Sequence, residues 1–334
     1  MKAMLLEFPA PVLENPLRLT ELPAPVPGPG QILLKVDYCG ICHTDLHTVE
    51  GELPLTQLPL IPGHQVVGRV VDRGPGAARY RTGDRVGLAW LYHTCGQCRF
   101  CRQGRENLCE QARFTGLHHD GGYGELLTAH EDFAYPLPAG FPDQAAAPLL
   151  CAGIIGYRAL RLSGIQPGGR LGLYGFGASA HIAIQIARYW GCEILVFTRG
   201  PGHQELARQL GASWVGQAQD QPPGKLDSAI IFAPAGILVP QALKHLDRGG
   251  TLALAGIYMT AIPKLDYDQD LYYEKTLRSV TASTREDGRE LLELAARIPI
   301  LPQVTTFPLE EANRALQLLK AGQIDGAGVL AVGK

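Results

Sequence analysis

The stretch Arg170-Leu171-Gly172-Leu173-Tyr174-Gly175-Phe176-Gly177-Ala178-Ser179-Ala180 decides how the second half of the chain folds. An apolar strand leads into a G-x-G-x-x-G/A turn, and a helical pattern follows from about 178 to 189. Gly175 permits the tight turn, Gly177 lets the backbone approach a pyrophosphate, and Ala180 still permits close helix–strand packing. The free N–H groups of the helix N-terminus would face the anion. We therefore predict a dinucleotide-binding turn that includes Gly175, Gly177, Ala178 and Ser179.

The pattern around this turn alternates between strands and helices. The next predicted strand is 193–198, and a helix follows around 204–210. Further strands are predicted at 227–232 and 251–255, and such alternation indicates βαβ units with a doubly wound parallel sheet. Near the C-terminus we predict two helices and a strand that returns to the first part of the chain: 286–296, 309–320 and 328–332.

Residues 1–150 are predicted to be rich in β-structure. Short β-prone runs at 32–36, 65–71 and 85–88 are separated by turn residues such as Pro27-Gly28-Pro29-Gly30. No long amphipathic helix is evident before residue 140. This pattern favours small, barrel-like β-structure.

Length and composition narrow the possible functions. A chain of 334 residues is expected to form two domains. Its formal net charge of −2 gives no electrostatic reason to expect nucleic acid or an anionic membrane as partner. Residues 1–11 do not resemble a signal peptide, and no apolar run reaches the roughly 20 residues of a membrane span. We therefore expect a cytoplasmic protein whose eight cysteines stay reduced.

Potential metal ligands are concentrated between Tyr38 and His47, and two more follow at His64 and Cys151. Cys42, His64 and Cys151 would supply three ligands to a tetrahedral zinc and leave the fourth position open, as in catalytic sites. Sequence spacing does not fix this geometry, and His64 could equally be a hydrogen-bonded core histidine.

The residues that follow Cys42 have the chemistry such a site needs. Asp45 could orient a ligating imidazole through its second nitrogen. Thr44 and His47 could carry a proton from an alcohol to solvent.

A second cysteine cluster has gaps of two, two and seven residues, and its members are Cys95, Cys98, Cys101 and Cys109. Four thiolates on short chelate loops suit a closed structural zinc. An iron–sulfur cluster can also use four cysteines, so this motif alone leaves both possibilities open.

These features together resemble a zinc-dependent alcohol dehydrogenase of the medium-chain dehydrogenase/reductase superfamily. The motifs that carry the resemblance span nearly the whole chain: Cys39-Gly40-Ile41-Cys42-His43-Thr44-Asp45, Pro62-Gly63-His64, Gly121-Gly122-Tyr123-Gly124-Glu125, Leu149-Leu150-Cys151-Ala152-Gly153 and the glycine-rich turn. The implied fold is a GroES-like domain at 1–151 with a zinc lobe at about 92–110, a Rossmann domain at 152–283 and a return segment at 284–334.

The resemblance also implies roles for individual residues. Two zinc ions are expected, a catalytic one on Cys42, His64 and Cys151 and a structural one on the four-cysteine cluster. The implied proton relay runs through Thr44, the cofactor ribose and His47. His43 would lie beside the pyrophosphate, and Ile257 is a further candidate for cofactor binding.

The chain departs from the family pattern at three places. Gln65 replaces the usual glutamate after the ligand histidine, and Gly326-Ala327-Gly328 lacks the usual arginine, so His43 or Arg285 would have to bind the phosphates. No acidic residue occupies positions 198–202, at the end of the predicted strand 193–198, where Thr198 and Arg199 lie. Because an acid there favours NAD, its absence favours NADP.

The sequence thus predicts reversible oxidation of an alcohol to an aldehyde or ketone with hydride transfer to NAD(P). A non-catalytic zinc-binding protein of the same fold and a quinone or enone reductase are the alternatives. The expected partners are small-molecule alcohols, aldehydes or ketones, and the expected assembly is a homo-oligomer, either a dimer or a tetramer.

Overall fold

The structure, a computed structural model, describes residues 1–298 and 300–333; Pro299 and Lys334, which fall in the predicted return segment, lie outside them. Within the described ranges the chain forms 17 strands and nine α-helices. The strands are β1 Lys2–Leu6, β2 Leu17–Glu21, β3 Gln31–Ile41, β4 Gln65–Arg73, β5 Arg85–Leu88, β6 Leu91–His93, β7 Arg113–Phe114, β8 Leu126–His130, β9 Ala134–Pro136, β10 Arg170–Tyr174, β11 Glu193–Phe197, β12 Trp214–Gly216, β13 Leu226–Ile231, β14 Leu246–Leu254, β15 Thr276–Ser279, β16 Val304–Pro308 and β17 Ala327–Ala331.

The helical elements are nine α-helices, four short 3₁₀ turns and two π-helical turns within the described residues. The α-helices are α1 His43–Val49, α2 Arg99–Arg102, α3 Asp143–Pro148, α4 Ile154–Ser163, α5 Ala178–Tyr189, α6 Pro201–Gln209, α7 Leu238–His245, α8 Arg285–Arg297 and α9 Ala312–Lys320. The 3₁₀ turns are Val12–Glu14, Glu106–Leu108, Glu131–Phe133 and Leu309–Glu311, and the π-helical turns are Leu149–Gly153 and Tyr267–Leu271.

The chain divides into two compact units. The first, called the catalytic unit below, comprises Met1–Cys151 together with the segment that begins at Ser283. The second, the nucleotide unit, comprises Ala152–Ala282. The domain limits predicted from the sequence remain a prediction.

The main sheet of the catalytic unit is arranged around β3. Its order is β16-β17-β3-β4-β5-β9, and β8 also pairs with β3. The 11-residue β3 can serve three neighbours because β8 covers its first half and β17 its second half. In the antiparallel register with β4, Gly40 faces Gln65. Cys42 and His64, each just beyond these paired strands, are therefore brought together by the strand register.

The nucleotide unit contains a six-stranded parallel sheet in the order β12-β11-β10-β13-β14-β15. Numbered within the unit, this is the 3-2-1-4-5-6 order of a doubly wound dinucleotide-binding sheet. The central strands are apolar along their length, and residues such as Leu173 and Val196 are fully buried. Such continuous apolar runs are typical of parallel strands that are covered on both faces. The predicted fold class is confirmed.

Some predicted element limits need correction. The helix predicted around 204–210 begins earlier, at Pro201, because proline is well suited to the first helical position. The strand predicted at 251–255 begins at Leu246, with a register irregularity opposite Leu226 and Ser228. The region predicted as one helix at 309–320 begins with a 3₁₀ turn before α9.

The helical run Asp143–Ser163 is 21 residues long and apolar enough, by length and composition alone, to cross a membrane. However, 67% of its most apolar window is buried inside the protein. Buried core helices commonly have this composition, so the run gives only weak support for a membrane segment.

Candidate active site and metal centres

Three of the predicted zinc ligands come together in the catalytic unit. The ligand atoms of Cys42, His64 and Cys151 all lie within 4.8 Å of one another. His64 directs Nε2 towards the Cys42 sulfur, at 3.5 Å. Cys151 belongs to the π-helical turn Leu149–Gly153, and such turns are common at functional sites.

The start of α1 fixes both Cys42 and His64 through Asp45. Cys42 is the N-cap of α1, and its sulfur accepts a hydrogen bond from the Thr44 backbone N–H at 3.3 Å. One Asp45 oxygen accepts from the Cys42 N–H at 2.9 Å, and the other lies 2.8 Å from His64 Nδ1. Asp45 and His64 are each only 1% exposed. The Nδ1 contact leaves His64 Nε2 as the ligand atom, as expected for a metal-binding imidazole.

The electrostatics of this cluster favour a cation. The hydrogen bond to Cys151, and then burial, raises the pKa of Cys42 well above its usual range. Burial opposes a positive charge on His64, yet Asp45 and Cys42 outweigh it and raise the pKa of His64 to about 10. A divalent cation would compensate the two thiolates and occupy the His64 lone pair, so two sulfurs and one imidazole nitrogen suit zinc.

Aromatic side chains border the cluster on one side. The Trp90 ring meets the His64 ring edge-on, with 4.9 Å between centroids, and stacks on Phe114 at 4.9 Å. Leu91 and Leu117 are both buried. Phe114 was not anticipated, because its place beside Trp90 depends on the pairing of β6 with β7.

The other cysteine cluster has the dimensions of a closed single-ion site. The sulfurs of Cys95, Cys98, Cys101 and Cys109 all lie within 4.8 Å of one another. Three of the sulfur–sulfur distances are 3.5, 3.5 and 3.9 Å. Sulfurs held about 2.3 Å from one zinc at tetrahedral angles would be roughly 3.8 Å apart. All eight cysteines are free thiols in the structure, so these contacts are not disulfides.

Backbone N–H groups support the sulfurs of this lobe. The Cys98 N–H points at the Cys95 sulfur at 3.4 Å, and the Cys101 N–H points at the Cys98 sulfur at 3.5 Å. Donors from Gln97 and Cys98 lower the pKa of the Cys95 thiol. Backbone donors therefore stabilise the Cys95 thiolate, whereas burial raises the pKa of Cys101 in the same lobe. In the open cluster, by contrast, Asp45 orients a ligand.

The dinucleotide turn has the conformation that its sequence predicts. Gly175 follows β10 with φ of 84°, a conformation that favours glycine, and a Cβ there would meet Ala233 at 2.9 Å. A Cβ at Gly177 would meet nothing within 4 Å, so the turn is open at that point. Gly177 is also the N-cap of α5 and offers no side-chain cap. The turn therefore presents an open, uncapped helix N-terminus that fits a pyrophosphate.

The other candidate cofactor residues are spread over both units. In the nucleotide unit, Thr198 is buried just after β11, Arg199 is exposed beside it, and Ile257 is exposed three residues beyond β14. In the catalytic unit, His43 is exposed at the first position of α1.

The Arg285 side chain already has two partners within the catalytic unit. Its Nε donates to Glu106 at 3.2 Å, and its guanidinium lies 4.6 Å from the centroid of the Phe133 ring. This geometry does not favour Arg285 as a phosphate ligand, which leaves His43 from the pair suggested by the sequence.

Comparison with known proteins identifies the family. The family described as "Alcohol dehydrogenase GroES-like domain" matches residues 28–139, and the one described as "Zinc-binding dehydrogenase" matches residues 178–297. A probable alcohol dehydrogenase of Mycobacterium tuberculosis is 51% identical over 337 residues, covering 99% of this chain and 97% of that protein. The chain belongs to the zinc-type medium-chain alcohol dehydrogenases.

Solved structures agree with this assignment. A cinnamyl alcohol dehydrogenase of Sorghum bicolor superposes with a TM-score of 0.89 at 27% identity, covering 99% of this chain and 97% of that one. An acetophenone reductase of Geotrichum candidum in complex with NAD gives 0.89 at 28%, with the same coverage. The predicted function, alcohol oxidation coupled to NAD(P) by a zinc-binding enzyme, is confirmed at this level, and the non-catalytic alternative is wrong.

The two predicted relay residues of the dehydrogenase lie one turn apart on α1. Thr44 is buried, and the His47 side chain is 16% exposed. His47 forms a hydrogen bond through Nδ1 with Glu52, a residue outside the sequence motifs. Gly51 and Glu52 were a local signal of this turn, although no helix was predicted at 43–49.

Two further buried side chains, Tyr123 and Gln65, lie in environments that the sequence did not predict. The Tyr123 hydroxyl has no hydrogen-bond partner among the described residues, and burial, then the Asp45 charge, raises the pKa of Tyr123. Gln65 is 2% exposed, and its side-chain nitrogen likewise lacks a partner within the described part of the chain. Neither environment could be deduced from the motifs that contain these residues.

Proposed function

We propose that this enzyme oxidises alcohols at a zinc ion held by Cys42, His64 and Cys151. The observation that carries the proposal is the convergence of three ligand atoms with Asp45 fixed on His64 Nδ1. A zinc ion at this position would act as a Lewis acid on the substrate oxygen. A second, structural zinc is proposed for the four-cysteine lobe, which makes two ions per chain.

Proton transfer is assigned to α1. The Thr44 hydroxyl would accept the proton of the substrate alcohol as it gives up its own towards the cofactor ribose and His47, and His47 would release a proton to solvent. The placement of both residues on one short helix that begins at a zinc ligand supports this assignment. His43 is proposed to lie beside the cofactor pyrophosphate.

The substrate is proposed to be an apolar alcohol or the corresponding carbonyl compound. The stacked pair Trp90 and Phe114 offers an aromatic surface next to His64. Two structural relatives are named for the aromatic substrates cinnamyl alcohol and acetophenone. An aryl-substituted primary or secondary alcohol is therefore the first class to test.

NADP is the proposed cofactor. No acid occupies 198–202, and Arg199 offers an exposed guanidinium that suits a phosphate. The acid Asp220 beyond the neighbouring β12 already accepts the Gln217 N–H at 2.7 Å. The acetophenone reductase with bound NAD keeps NAD as the alternative for this chain.

The first experiment is a substrate panel read by nicotinamide absorbance, with each cofactor in turn. Wild type should oxidise apolar alcohols, and Cys42→Ser should be inactive against every member. Cys192→Ser is the matched control, because Cys192 lies outside both cysteine clusters. Equal activity in Cys42→Ser and Cys192→Ser would reject the open cluster as the active site.

The second experiment compares kcat/KM for NADPH and NADH in wild type and in Thr198→Asp with Arg199→Ile. Wild type should prefer NADPH, and the double variant should shift the ratio towards NADH by about tenfold or more. A wild-type preference for NADH, or an unchanged ratio in the variant, would reject the NADP proposal. A cytoplasmic location, a dimeric or tetrameric assembly and the domain limits 1–151, 152–283 and 284–334 also remain predictions.

A further inference from the structure

Just after the C-terminal end of α1, the chain turns so that the Glu52 carboxylate lies beside His47, the histidine of the proposed proton path. The Gly51 N–H donates to the Thr48 carbonyl at 3.2 Å, and the Glu52 N–H donates to the His47 carbonyl at 2.9 Å. Gly51 has φ of 76°. These two bonds and the left-handed glycine form a Schellman motif.

This motif determines which side chains meet. It brings the second residue after the helix end next to the residue three positions before that end, and an apolar contact usually joins the two. Here the two positions hold Glu52 and His47 instead, and their side chains are joined by a hydrogen bond between a Glu52 oxygen and His47 Nδ1. The polar pair is thus specified by local backbone geometry.

The two side chains differ in their access to water. His47 is 16% exposed, whereas Glu52 is 54% exposed. An ionised carboxylate has no hydrogen to donate and can only accept hydrogen bonds. Glu52 therefore selects the form of His47 that carries hydrogen on Nδ1. The lone pair of the neutral ring is then on Nε2.

We infer that Glu52 is a positioning residue of this dehydrogenase, which holds His47 in the tautomer whose Nε2 accepts the proton released by the alcohol. The inference rests on the proposed role of His47. Glu52 itself does not touch substrate or cofactor in this account.

Other titratable groups also face His47 and must be kept constant in any pH experiment. The ring of His43 lies 6.4 Å from that of His47, and Glu50 interacts with His47 electrostatically. Glu50 is itself paired with Lys320 of α9 at 2.7 Å. The test therefore changes Glu52 and leaves His43, Glu50 and Lys320 intact.

The direct test is nitrogen-15 NMR of the histidine side chains in the cofactor-free protein. The His47 signals are assigned by their absence in His47→Gln. Wild type should show the neutral ring with hydrogen on Nδ1, and Glu52→Ala should shift the population towards hydrogen on Nε2. Glu52→Gln should retain the wild-type tautomer, because the amide oxygen can still accept. Hydrogen on Nε2 in wild type, or no shift in Glu52→Ala, would overturn the inference.

Kinetics separate this inference from the proposed relay. Glu52→Ala should lower kcat/KM for alcohol oxidation about 3- to 30-fold at pH 6 and much less at pH 10, where hydroxide replaces the base. In the His47→Gln background, Glu52→Ala should not lower kcat/KM any further. Glu21→Ala, at an exposed position of β2, is the control and should match wild type at both pH values.

The outcomes are distinguishable. If His47→Gln leaves the pH–rate profile unchanged, the proposed relay fails. If His47→Gln changes the profile and Glu52→Ala does not, the relay stands and the role of Glu52 is wrong. Multiplicative losses in the double variant would also reject the role of Glu52, since they would mean that it acts independently of His47.

Discussion

The open cluster and the four-cysteine lobe both contain cysteine ligands, but they differ in ligand set and in structural setting. The ligands of the open cluster come from the start of α1, the residue before β4 and a π-helical turn. The ligands of the lobe all come from one 15-residue stretch, Cys95–Cys109. The lobe holds four sulfurs, whereas the open cluster supplies three ligands.

The difference in the number and origin of the ligands indicates separate roles for the two sites. A four-ligand site closes a local loop and leaves no position for substrate. A three-ligand site built from distant elements depends on the finished fold and keeps one position for an incoming oxygen. Loss of the lobe should therefore affect folding first, and loss of the open cluster should affect chemistry first.

The largest expected effect is that of Cys42→Ser. The variant should lose about one zinc per chain and at least roughly 10³-fold in kcat, because the Lewis acid is worth several kcal/mol. Its thermal unfolding should stay close to that of wild type. Metal analysis and calorimetry of the same sample check both points, and retention of both metals with full activity would contradict the assignment.

Cys101→Ser should show the opposite pattern. Loss of the structural ion is expected to lower the free energy of unfolding by several kcal/mol, and Tm should fall accordingly. The remaining folded protein should keep most of its activity per catalytic zinc. Cys192→Ser controls for the loss of a thiol, and equal stability of these two variants would argue against a structural ion.

Asp45→Asn should weaken the open cluster without affecting the lobe. Removing the charge that orients His64 should raise the rate of zinc loss to a chelator about 10- to 100-fold. The control is Asp120→Asn, because Asp120 accepts the Ile61 N–H at 2.9 Å and belongs to neither ligand cluster. Equal zinc retention in the two variants would show that Asp45 does not support the ligand.

The smallest effect is expected for Gln65→Glu. The new carboxylate would add negative charge beside His64 with little change in shape, so kcat or the zinc off-rate should change about two- to fivefold. Thermal unfolding should remain close to that of wild type. If both rates are unchanged, the residue after the ligand histidine has no part in the chemistry.

The sequence predicts local structure well where one pattern contains all the necessary information. The strand, the turn at Gly175 and the helix 178–189 are found at the predicted positions because propensity, glycine placement and apolar periodicity agree within one segment. The four-cysteine lobe is also local, so its members could be listed from spacing alone. Its metal could not, since zinc and iron both bind four thiolates.

The open cluster could not be derived from spacing. Cys42 meets His64 because Gly40 pairs with Gln65 across β3 and β4, and a sequence does not state strand register. The sequence offered Cys42, His64 and Cys151 as candidate ligands, and the family resemblance supported the grouping. The contact between His47 and Glu52 is different, because it depends on the local turn at Gly51 and not on long-range strand register.

The most direct test of the division between the two sites is timed removal of zinc from the wild-type enzyme with a chelator. Zinc content, activity and Tm are measured in the same samples at each time. We predict two zinc ions per chain at the start, with activity lost in proportion to the first ion and Tm falling only with the second. Full activity after loss of one ion per chain with an already lowered Tm, or only one ion per chain at the start, would contradict the account.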